Sequence, residues 1–296
     1  MIRTLLVPLD GSAASERVLP LAQEIAGKSS ASIVLTTIVA SGFEDLEPLY
    51  RSYLEHTRER LAIQAGNRNA AATKSDVHLL KGSPADEILC YADELNADLI
   101  MMASRGATGG GPWLLGSVVT RVTVASTKPV LVVKSDDVKP GTDKRKLFQR
   151  ILVPLDGSPA GESALVFTEE LAAIMGSELI LFHAVQPAAS WMDAGIGGTY
   201  AAIEVPESVK SAAKRYMEDV QKRLLGKGLK TKIVLRDGPA AELIIEYAKN
   251  EGVDAISIST HGRTGINRWV FGSVTEKILR YGPSSVLVIR AAKGSA

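Results

Sequence analysis

The chain carries the same set of sequence elements twice, in the same order. Residues 5–12 (LLVPLDGS) return almost unchanged as residues 151–158 (ILVPLDGS). Three further pairs of segments match: residues 97–106 with 253–262, 114–118 with 270–274, and 128–133 with 284–289. An internal repeat of this kind indicates duplicated structural units, and each copy has the ~100–200 residues of an ordinary domain. We therefore predict two tandem domains, at residues 1–135 and 149–292, joined by a charged linker at 136–148.

Each copy alternates short β-rich runs with amphipathic stretches of helical length. In the first copy, strands are predicted near residues 3–9, 31–39, 75–80, 97–103 and 129–134. This alternation is typical of a parallel sheet with helices on both faces. Runs such as residues 33–35 (IVL) are apolar at consecutive positions, as in strands that are buried on both faces. The predicted fold class is therefore α/β, with two doubly wound domains that each contain a five-stranded, parallel-type sheet.

The first helix of each copy has a recognisable start, and one connection differs in length. Ser12 and Ser158 are suitable N-caps, and Pro159 suits the first helical position. The offset between the copies grows by about ten residues between the second and third strands, which indicates an insertion in the second copy. The segment at residues 187–206 is rich in alanine and glycine and is the predicted place of this insertion.

Composition narrows the classes of partner. The 46% of apolar residues suffice for a core, and the charged residues balance to a net charge of +1. Because nucleic-acid affinity rests largely on neutralised phosphates, this balance argues against nucleic acid or an anionic membrane as the main ligand. The first residues lead directly into domain sequence without a signal peptide, and no apolar run reaches the ~18 residues of a membrane span. Together with the single cysteine, Cys90, these features predict a cytoplasmic protein.

Repeated polar features follow strands at the edge where open parallel sheets bind ligands. The Pro-Leu-Asp-Gly-Ser turn puts Asp10 and Asp156 at the carboxyl ends of the first strands. A carboxylate there can accept hydrogen bonds from ribose hydroxyls or from an adenine amine. Alternatively, each aspartate only supports the turn and the helix that follows. Val39 and Val185 end the second strands, where they either line an adenine pocket or simply pack in the core.

A glycine segment follows the fourth strand of each copy. Gly106 and Gly262 are each followed by nine residues and then by a Gly-Ser pair, at 116–117 and at 272–273. Glycine lets the backbone approach a phosphate, and the helix that begins there offers unpaired N–H groups and a favourable dipole. The alternative is a turn glycine followed by an ordinary serine N-cap. Recurrence of the whole segment at both strand ends favours the phosphate-binding interpretation.

These motifs resemble the universal stress protein family, and the resemblance covers both halves of the chain. The family's phosphate signature reads Gly-x-x-Gly, nine residues, then Gly-Ser or Gly-Thr; here Ala103 and Ser259 replace the first glycine and the remainder matches. The resemblance implies an adenine nucleotide alpha hydrolase-like fold, ATP as the ligand, and a metal ion, with magnesium as the candidate, bridging the phosphates. It also implies these contact residues: Pro8, Asp10, Val39, Ala103, Gly106, Gly116, Ser117 and Val118 in the first copy, and Pro154, Asp156, Val185, Ser259, Gly262, Gly272, Ser273 and Val274 in the second.

The favoured function is regulatory: ATP occupancy would order the glycine segments and alter a surface that a partner protein reads. The alternatives are a slow ATPase or another adenine-nucleotide enzyme, and a structural protein that binds no ligand. The sequence contains no nucleophile elbow, HExxH motif or Ser-Gly-Gly loop, and no catalytic residue is assigned. In the resembled family the last strands pair between subunits; here residues 130–133 and 286–289 can pair within one chain, as a pseudo-twofold monomer that stays open to homodimerisation.

Overall fold

A computed structural model describes residues 1–67, 74–106, 115–134, 148–186, 205–260 and 271–291. The first half contains β1 (Thr4–Pro8), α1 (Leu19–Ser29), β2 (Ser32–Val39), α2 (Glu47–Asn67), β3 (Ser75–Lys81), α3 (Pro84–Glu94), β4 (Leu99–Ala103), α4 (Ser117–Ala125) and β5 (Val130–Val133). The second half contains β6 (Arg150–Pro154), α5 (Pro159–Met175), β7 (Glu178–Val185), α6 (Glu207–Leu225), β8 (Lys230–Asp237), α7 (Ala240–Asn250), β9 (Ala255–Ser259), α8 (Ser273–Tyr281) and β10 (Ser285–Ile289). The five strands predicted in the first copy are confirmed. Of the predicted linker, only residue 148 is among the described residues. No helix in these ranges is long and apolar enough to cross a bilayer.

The strands of the described residues form one sheet of ten, in the order β3-β2-β1-β4-β5-β10-β9-β6-β7-β8. Within each half, neighbouring strands are parallel. The direction of winding reverses beside the first strand of each half, between β1 and β4 and between β6 and β9. The halves meet where β5 and β10 pair antiparallel, with Leu131 opposite Leu287. The predicted doubly wound α/β fold and the pairing of the last strands within one chain are therefore confirmed.

Two apolar cores lie on the two faces of the sheet, and each core runs through both halves. On one face, Leu5 and Val7 of β1 belong to the same core as Leu287 of β10, beneath α1, α2, α5 and α6. On the other face, Leu6 of β1 and Ile180 of β7 belong to a core covered by α3, α4, α7 and α8. Consecutive strand residues are therefore buried on opposite faces, as the apolar runs in the sequence predict.

Each half also stabilises the last helix of the other half. Lys134, directly after β5, donates its Nζ to the carbonyl oxygen of Leu279 in α8 at 2.7 Å. Arg290, directly after β10, donates its Nη1 to the carbonyl oxygen of Ala125 at the end of α4 at 3.3 Å. Cations at helix C-termini bond carbonyl groups that lack helical partners and complement the helix dipole. The contact between the halves is thus built from matched side chains as well as from paired strands.

The first helix of the second half begins as the sequence predicts. Ser158 is the N-cap of α5, its Oγ accepts the N–H of Gly161 at 3.0 Å, and Pro159 occupies the first helical position. The turn is tight, because a Cβ at Gly161 would lie 2.4 Å from Oδ1 of Asp156 and 3.3 Å from Oγ of Ser158. A side chain there would require a shift of the aspartate carboxylate.

The first half departs from that arrangement. Oγ of Ser12 accepts the N–H of Ser15 at 3.1 Å, but the chain then forms a short 3-10 helix, Ser15–Val18, and α1 begins only at Leu19. The prediction that Ser12 is the N-cap of the first α-helix is therefore wrong. The physical reason lies in Pro20: proline has no backbone N–H and is tolerated only in the first turn of an α-helix, so α1 begins one residue before it.

The connection between the second strand and the second helix differs in length between the halves. Residues 40–46 join β2 to α2, whereas residues 186–206 join β7 to α6. The predicted insertion in the second copy is therefore confirmed, although most of it lies outside the described residues. The strands on either side of the longer connection keep the parallel pairing of the first half, with β7 between β6 and β8. The longer connection thus leaves the pairing of the sheet unchanged.

The shared core predicts that a cavity at the junction of the halves destabilises the molecule. Leu287→Ala removes a fully buried side chain and should lower the free energy of unfolding by about 2–5 kcal/mol. Equilibrium denaturation in urea, followed by far-UV circular dichroism, measures this loss. Val166→Ala, at a side chain that is 77% exposed, is the matched control and should change stability by less than about 0.5 kcal/mol. A Leu287→Ala curve that overlays the wild-type curve would contradict the shared core.

Candidate functional site

The two aspartate turns hold their carboxylates in the same way. Oδ1 of Asp10 accepts the N–H of Ser12 at 3.0 Å and its hydroxyl at 2.6 Å. Oδ1 of Asp156 accepts the same two groups of Ser158 at the same distances. Each aspartate therefore supports its turn through Oδ1. The assignment of a ligand contact to either aspartate stays a prediction.

In the first half, the ends of β1 and β4 are in direct contact. A Cβ at Gly106 would lie 2.1 Å from Oδ2 of Asp10, so a side chain at this position would displace the aspartate carboxylate. The last residues of the neighbouring strands are buried at the same edge of the sheet: Pro8 of β1, Val39 of β2 and Ala103 of β4. The structure therefore joins Asp10 and Gly106, two residues that the sequence placed in separate motifs.

Gly116 and Gly272, and not the serines that follow them, are the N-caps of α4 and α8. Their φ/ψ values of −61°/146° and −62°/149° are extended backbone that any residue adopts. A Cβ at Gly272 would meet nothing closer than the carbonyl oxygen of Thr260, at 3.5 Å. The alternative of an ordinary serine N-cap is therefore wrong, and local geometry does not require either glycine. What glycine provides here is an open approach to the helix N-terminus.

The first turns of α4 and α8 present backbone N–H groups at this open end. The N–H groups of residues 117–119 and 273–275 lack helical acceptors, and the structure shows no hydrogen bond from them to any described residue. The start of α8 is nevertheless fixed in place. The N–H of Gly272 donates to the carbonyl of Thr260 at 3.0 Å, and Oγ1 of Thr275 donates to the carbonyl of Ser259 at 2.9 Å. Fixed, unbonded N–H groups at a helix N-terminus form a site for anions.

In the second half, these groups border one cavity of about 570 Å³. The cavity lies at the carboxyl ends of β6, β7 and β9, between the N-termini of α7 and α8 and one face of α6. Its volume falls within the ~300–1,000 Å³ typical of small-molecule sites, and its place is where the sheet order reverses. Of the contact residues implied by the resemblance, it is lined by Pro154, Asp156, Val185, Ser259, Gly272, Ser273 and Val274. Gly262 lies outside the described residues.

One wall of the cavity, residues 239–242 at the start of α7, was not found from the sequence. A repeated turn precedes it: Gly82 and Gly238, with φ values of 138° and 133°, lie just before α3 and α7. Their N–H groups donate to the carbonyls of Val39 at 3.0 Å and Val185 at 3.1 Å. Glycine adopts such φ values without strain, so the paired glycines were a signal that could have located this wall.

A second wall missed by the sequence analysis belongs to α6. Val209 and Tyr216 line the cavity, and the ring of Tyr216 meets the ring of His183 edge-on, with centroids 6.1 Å apart. Burial raises the pKa of Tyr216, and the carboxylates of Glu162 and Asp156 raise it further. The hydroxyl group therefore stays protonated and neutral. No sequence signal distinguished this wall, because the amphipathic pattern of α6 predicts core packing equally well.

The fold and the cavity define a class of protein: a tandem, doubly wound α/β protein with a ligand crevice at the carboxyl ends of its strands. The sequence profile of the universal stress protein family matches residues 1–134 and 147–290. These two matches cover most of the chain, one in each half. The chain therefore belongs to the universal stress protein family.

Relatives match either one half or the whole chain. A universal stress protein of Mycolicibacterium smegmatis is 25% identical over 307 residues, which cover 97% of this chain and 96% of the relative. The universal stress protein MJ0577 of Methanocaldococcus jannaschii is 29% identical over 155 residues, which cover 49% of this chain and 96% of the relative. Among solved structures, a universal stress protein of Archaeoglobus fulgidus DSM 4304 shares the fold with a TM-score of 0.71, at 24% identity and with 98% of both chains covered. Full-length and half-length relatives thus both occur.

The aspartate turn of the second half leads to a prediction about stability. Asp156→Ala removes the acceptor of two hydrogen bonds from Ser158 and should lower the free energy of unfolding by about 1–3 kcal/mol. Asp156→Asn keeps an acceptor oxygen in that place and should retain most of the stability. Urea denaturation of the two variants beside the wild type measures the difference. If the alanine variant were as stable as the wild type, the supporting role of the carboxylate would be rejected.

Proposed function

We propose that this chain binds ATP, with the phosphates at the N-terminus of α8 and the adenosine in the cavity of the second half. One observation carries the proposal: a cavity of about 570 Å³ opens beside the unbonded N–H groups of residues 273–275. A helix N-terminus binds phosphate through its N–H groups and its dipole. A phosphate group alone would not need a cavity of this size, whereas an attached nucleoside would.

The chemistry of the cavity lining supports a nucleoside in particular. Its apolar walls include Val185, Ile244 and Ile258, which offer a planar base the non-polar surroundings usual in cofactor sites. At the polar end, the cavity is lined by the carboxylate of Asp156 and the hydroxyl of Ser273, groups that hydrogen-bond ribose hydroxyls and phosphate oxygens. We assign the phosphates to residues 272–274, where glycine leaves the approach open.

We propose that the first half holds a second site of the same kind. Residues 116–118 form the same helix N-terminus, with the same glycine cap, and the contact between Asp10 and Gly106 marks the same strand ends. In this proposal the two sites belong to separate domains at residues 1–135 and 149–292, joined by the linker at 136–148. Each domain would then supply its own residues to its own ligand.

A magnesium ion bound together with the triphosphate is part of the proposal. Magnesium usually keeps several waters and is held by one or two carboxylates and by substrate phosphates. It therefore does not need a cage of protein ligands, which fits the described residues, where no group of three or more His, Cys, Asp or Glu side chains is placed to hold a metal. The ion would neutralise part of the charge on the phosphates while residues 272–274 hold their oxygens.

We further propose that binding is regulatory. Ligand occupancy would change the surface around the mouth of the cavity, and a partner protein would distinguish the two states. Such a response requires that ATP binds one state more tightly than the other, because a ligand shifts an equilibrium only by its differential affinity. The partner is defined by this requirement: it binds the surface of one nucleotide state in preference to the other.

Denaturing the purified chain and assaying the supernatant for adenine nucleotides tests the function directly. Retained ATP, or calorimetric binding of added ATP, is the expected result, because the cavity encloses much of a nucleoside. Steady release of phosphate on prolonged incubation with ATP and magnesium would instead indicate a slow ATPase. An absence of retained nucleotide together with no heat of ATP binding would reject the proposal in favour of a structural role.

A glycine-to-valine variant tests the position of the phosphates. Gly272→Val places a branched side chain over the N–H groups of α8 and should weaken ATP binding at least about tenfold, the loss expected when charge-assisted hydrogen bonds are blocked. Folding should persist, because a Cβ at this glycine meets only ordinary contacts. Isothermal titration calorimetry measures the affinity. All variants are made in a protein that already carries Gly116→Val, the background protein, so that only the second-half site is observed.

The matched control is Gly27→Val in α1, where a Cβ would meet no atom within 4 Å. Its ATP affinity should equal that of the background protein. Unchanged affinity in the Gly272→Val variant would remove the N-terminus of α8 from the site. Thermal denaturation of all three proteins separates a loss of binding from a loss of folding.

A further inference from the structure

An exposed ion pair lies at the mouth of the cavity. Nζ of Lys277 in α8 is 2.7 Å from Oε1 of Glu242 in α7, and both residues line the cavity. The hydrogen bond from Lys277 is the main cause of a lowered pKa at Glu242, so the carboxylate is charged when the pair forms. The first half repeats the arrangement, with Arg121 of α4 2.7 Å from Asp86 of α3. An ion pair therefore joins the same two helices in both halves.

Stability alone does not account for this recurrence. The side chains of Lys277 and Glu242 are 52% and 56% exposed, and those of Arg121 and Asp86 are 60% and 52% exposed. Ion pairs as exposed as these contribute little to the free energy of unfolding. Neither cation occupies the last turn of its helix, where the helix dipole would favour a positive charge. The position of the cations therefore calls for another explanation.

Both cations lie close to the helix N-termini that have unbonded N–H groups. Lys277 comes one turn after Ser273 on the same face of α8, and helical side chains lean toward the N-terminus of their helix. Lys277 thus extends toward the amides of residues 273–275. Arg121 stands in the same relation to Ser117 in α4. Each cation is placed to meet an anion bound at its own helix.

The two carboxylates lie where their negative charge stays favourable even when the paired cation moves away. Glu242 is in the first turn of α7, and Asp86 is in the first turn of α3. A negative charge in the first turn is favoured by the helix dipole and the N–H groups there. When the cation moves to another anion, each carboxylate therefore keeps a favourable electrostatic environment. The ion pair is an exchangeable one.

We propose that Lys277 is a specificity residue that makes affinity depend on the number of phosphates in the ligand. The terminal phosphates of a nucleoside polyphosphate take Lys277 from Glu242, whereas an uncharged nucleoside leaves the pair intact. Glu242 then competes with the phosphates of the ligand for Lys277, and only a ligand with enough negative charge displaces Glu242. The inference rests on the proposed nucleotide site and deepens it: the preferred ligand class is a nucleoside polyphosphate and not a nucleoside or a monophosphate.

Calorimetric titration of the full chain with adenosine, AMP, ADP and ATP tests the inference, again in the Gly116→Val background. Affinity should rise along this series. Lys277→Met should weaken ATP binding about tenfold, as expected for the loss of a charge-assisted hydrogen bond, and should leave adenosine binding unchanged. Glu242→Gln removes the competing charge and should strengthen ATP binding about threefold or more, again without an effect on adenosine.

Two controls distinguish specificity from a structural role. Arg280→Met removes another exposed cation of α8, which pairs with Glu276 at 3.1 Å, and so reproduces the change in net charge; its ATP affinity should equal that of the background protein. The double variant Glu242→Lys/Lys277→Glu keeps an ion pair between the helices but turns a carboxylate toward the phosphates. Its ATP affinity should fall at least as far as that of Lys277→Met.

The possible results separate this inference from the proposed site. Recovery of normal ATP binding in the charge-swapped protein would show that the pair only holds α7 to α8, and it would overturn the role of Lys277. Equal losses of adenosine and ATP affinity in Lys277→Met would overturn it as well. Equal binding of all four ligands by the background protein rejects the phosphate preference alone. No binding of any of them rejects the nucleotide site itself.

Discussion

The antiparallel pairing of β5 with β10 is the contact on which the rest of the molecule depends. Without it, each half would end in an exposed strand edge, and each apolar core would stop at that edge. With it, one sheet and two continuous cores extend through both halves. Because strands within a half are parallel and the junction is antiparallel, the carboxyl ends of the two halves point in opposite directions. The strand ends that carry Asp10 and those that carry Asp156 therefore lie at opposite edges of one sheet.

Local sequence differences after the aspartate turns set the halves apart within this common frame. In the second half α5 starts directly at the turn, whereas in the first half a 3-10 helix precedes α1, which has Pro20 in its first turn. On the second strands, His183 of β7 lies where β2 has Thr37, whose Oγ1 donates to the carbonyl of Leu9 at 2.9 Å. Duplication has thus kept the backbone elements and the ion pairs between the helices, while side chains near the strand ends have diverged.

Much of this arrangement follows from the sequence, because repetition marks residues whose neighbours in space are also repeated. The strands and their burial on both faces were predictable for that reason, and so was the meeting of strand ends at one edge. The start of α1 was missed, because the N-cap pattern at Ser12 was given more weight than Pro20, which lies in the first turn of α1. The wall formed by Tyr216 was not either, because an amphipathic helix reveals which face is buried but not what it is buried against. The ligand contact of Gly262, which lies outside the described residues, stays a prediction.

The matched contacts of Lys134 and Arg290 have a mechanical consequence. α8 begins at the cavity of the second half, and a carbonyl near its C-terminus accepts a hydrogen bond from Lys134 of the first half. In the same way, the last carbonyl of α4 in the first half accepts a hydrogen bond from Arg290 of the second half. A helix moves as a nearly stiff rod. Because Lys134 directly follows β5, which pairs with β4, an axial displacement of α8 would act on the first half through this hydrogen bond and these two strands.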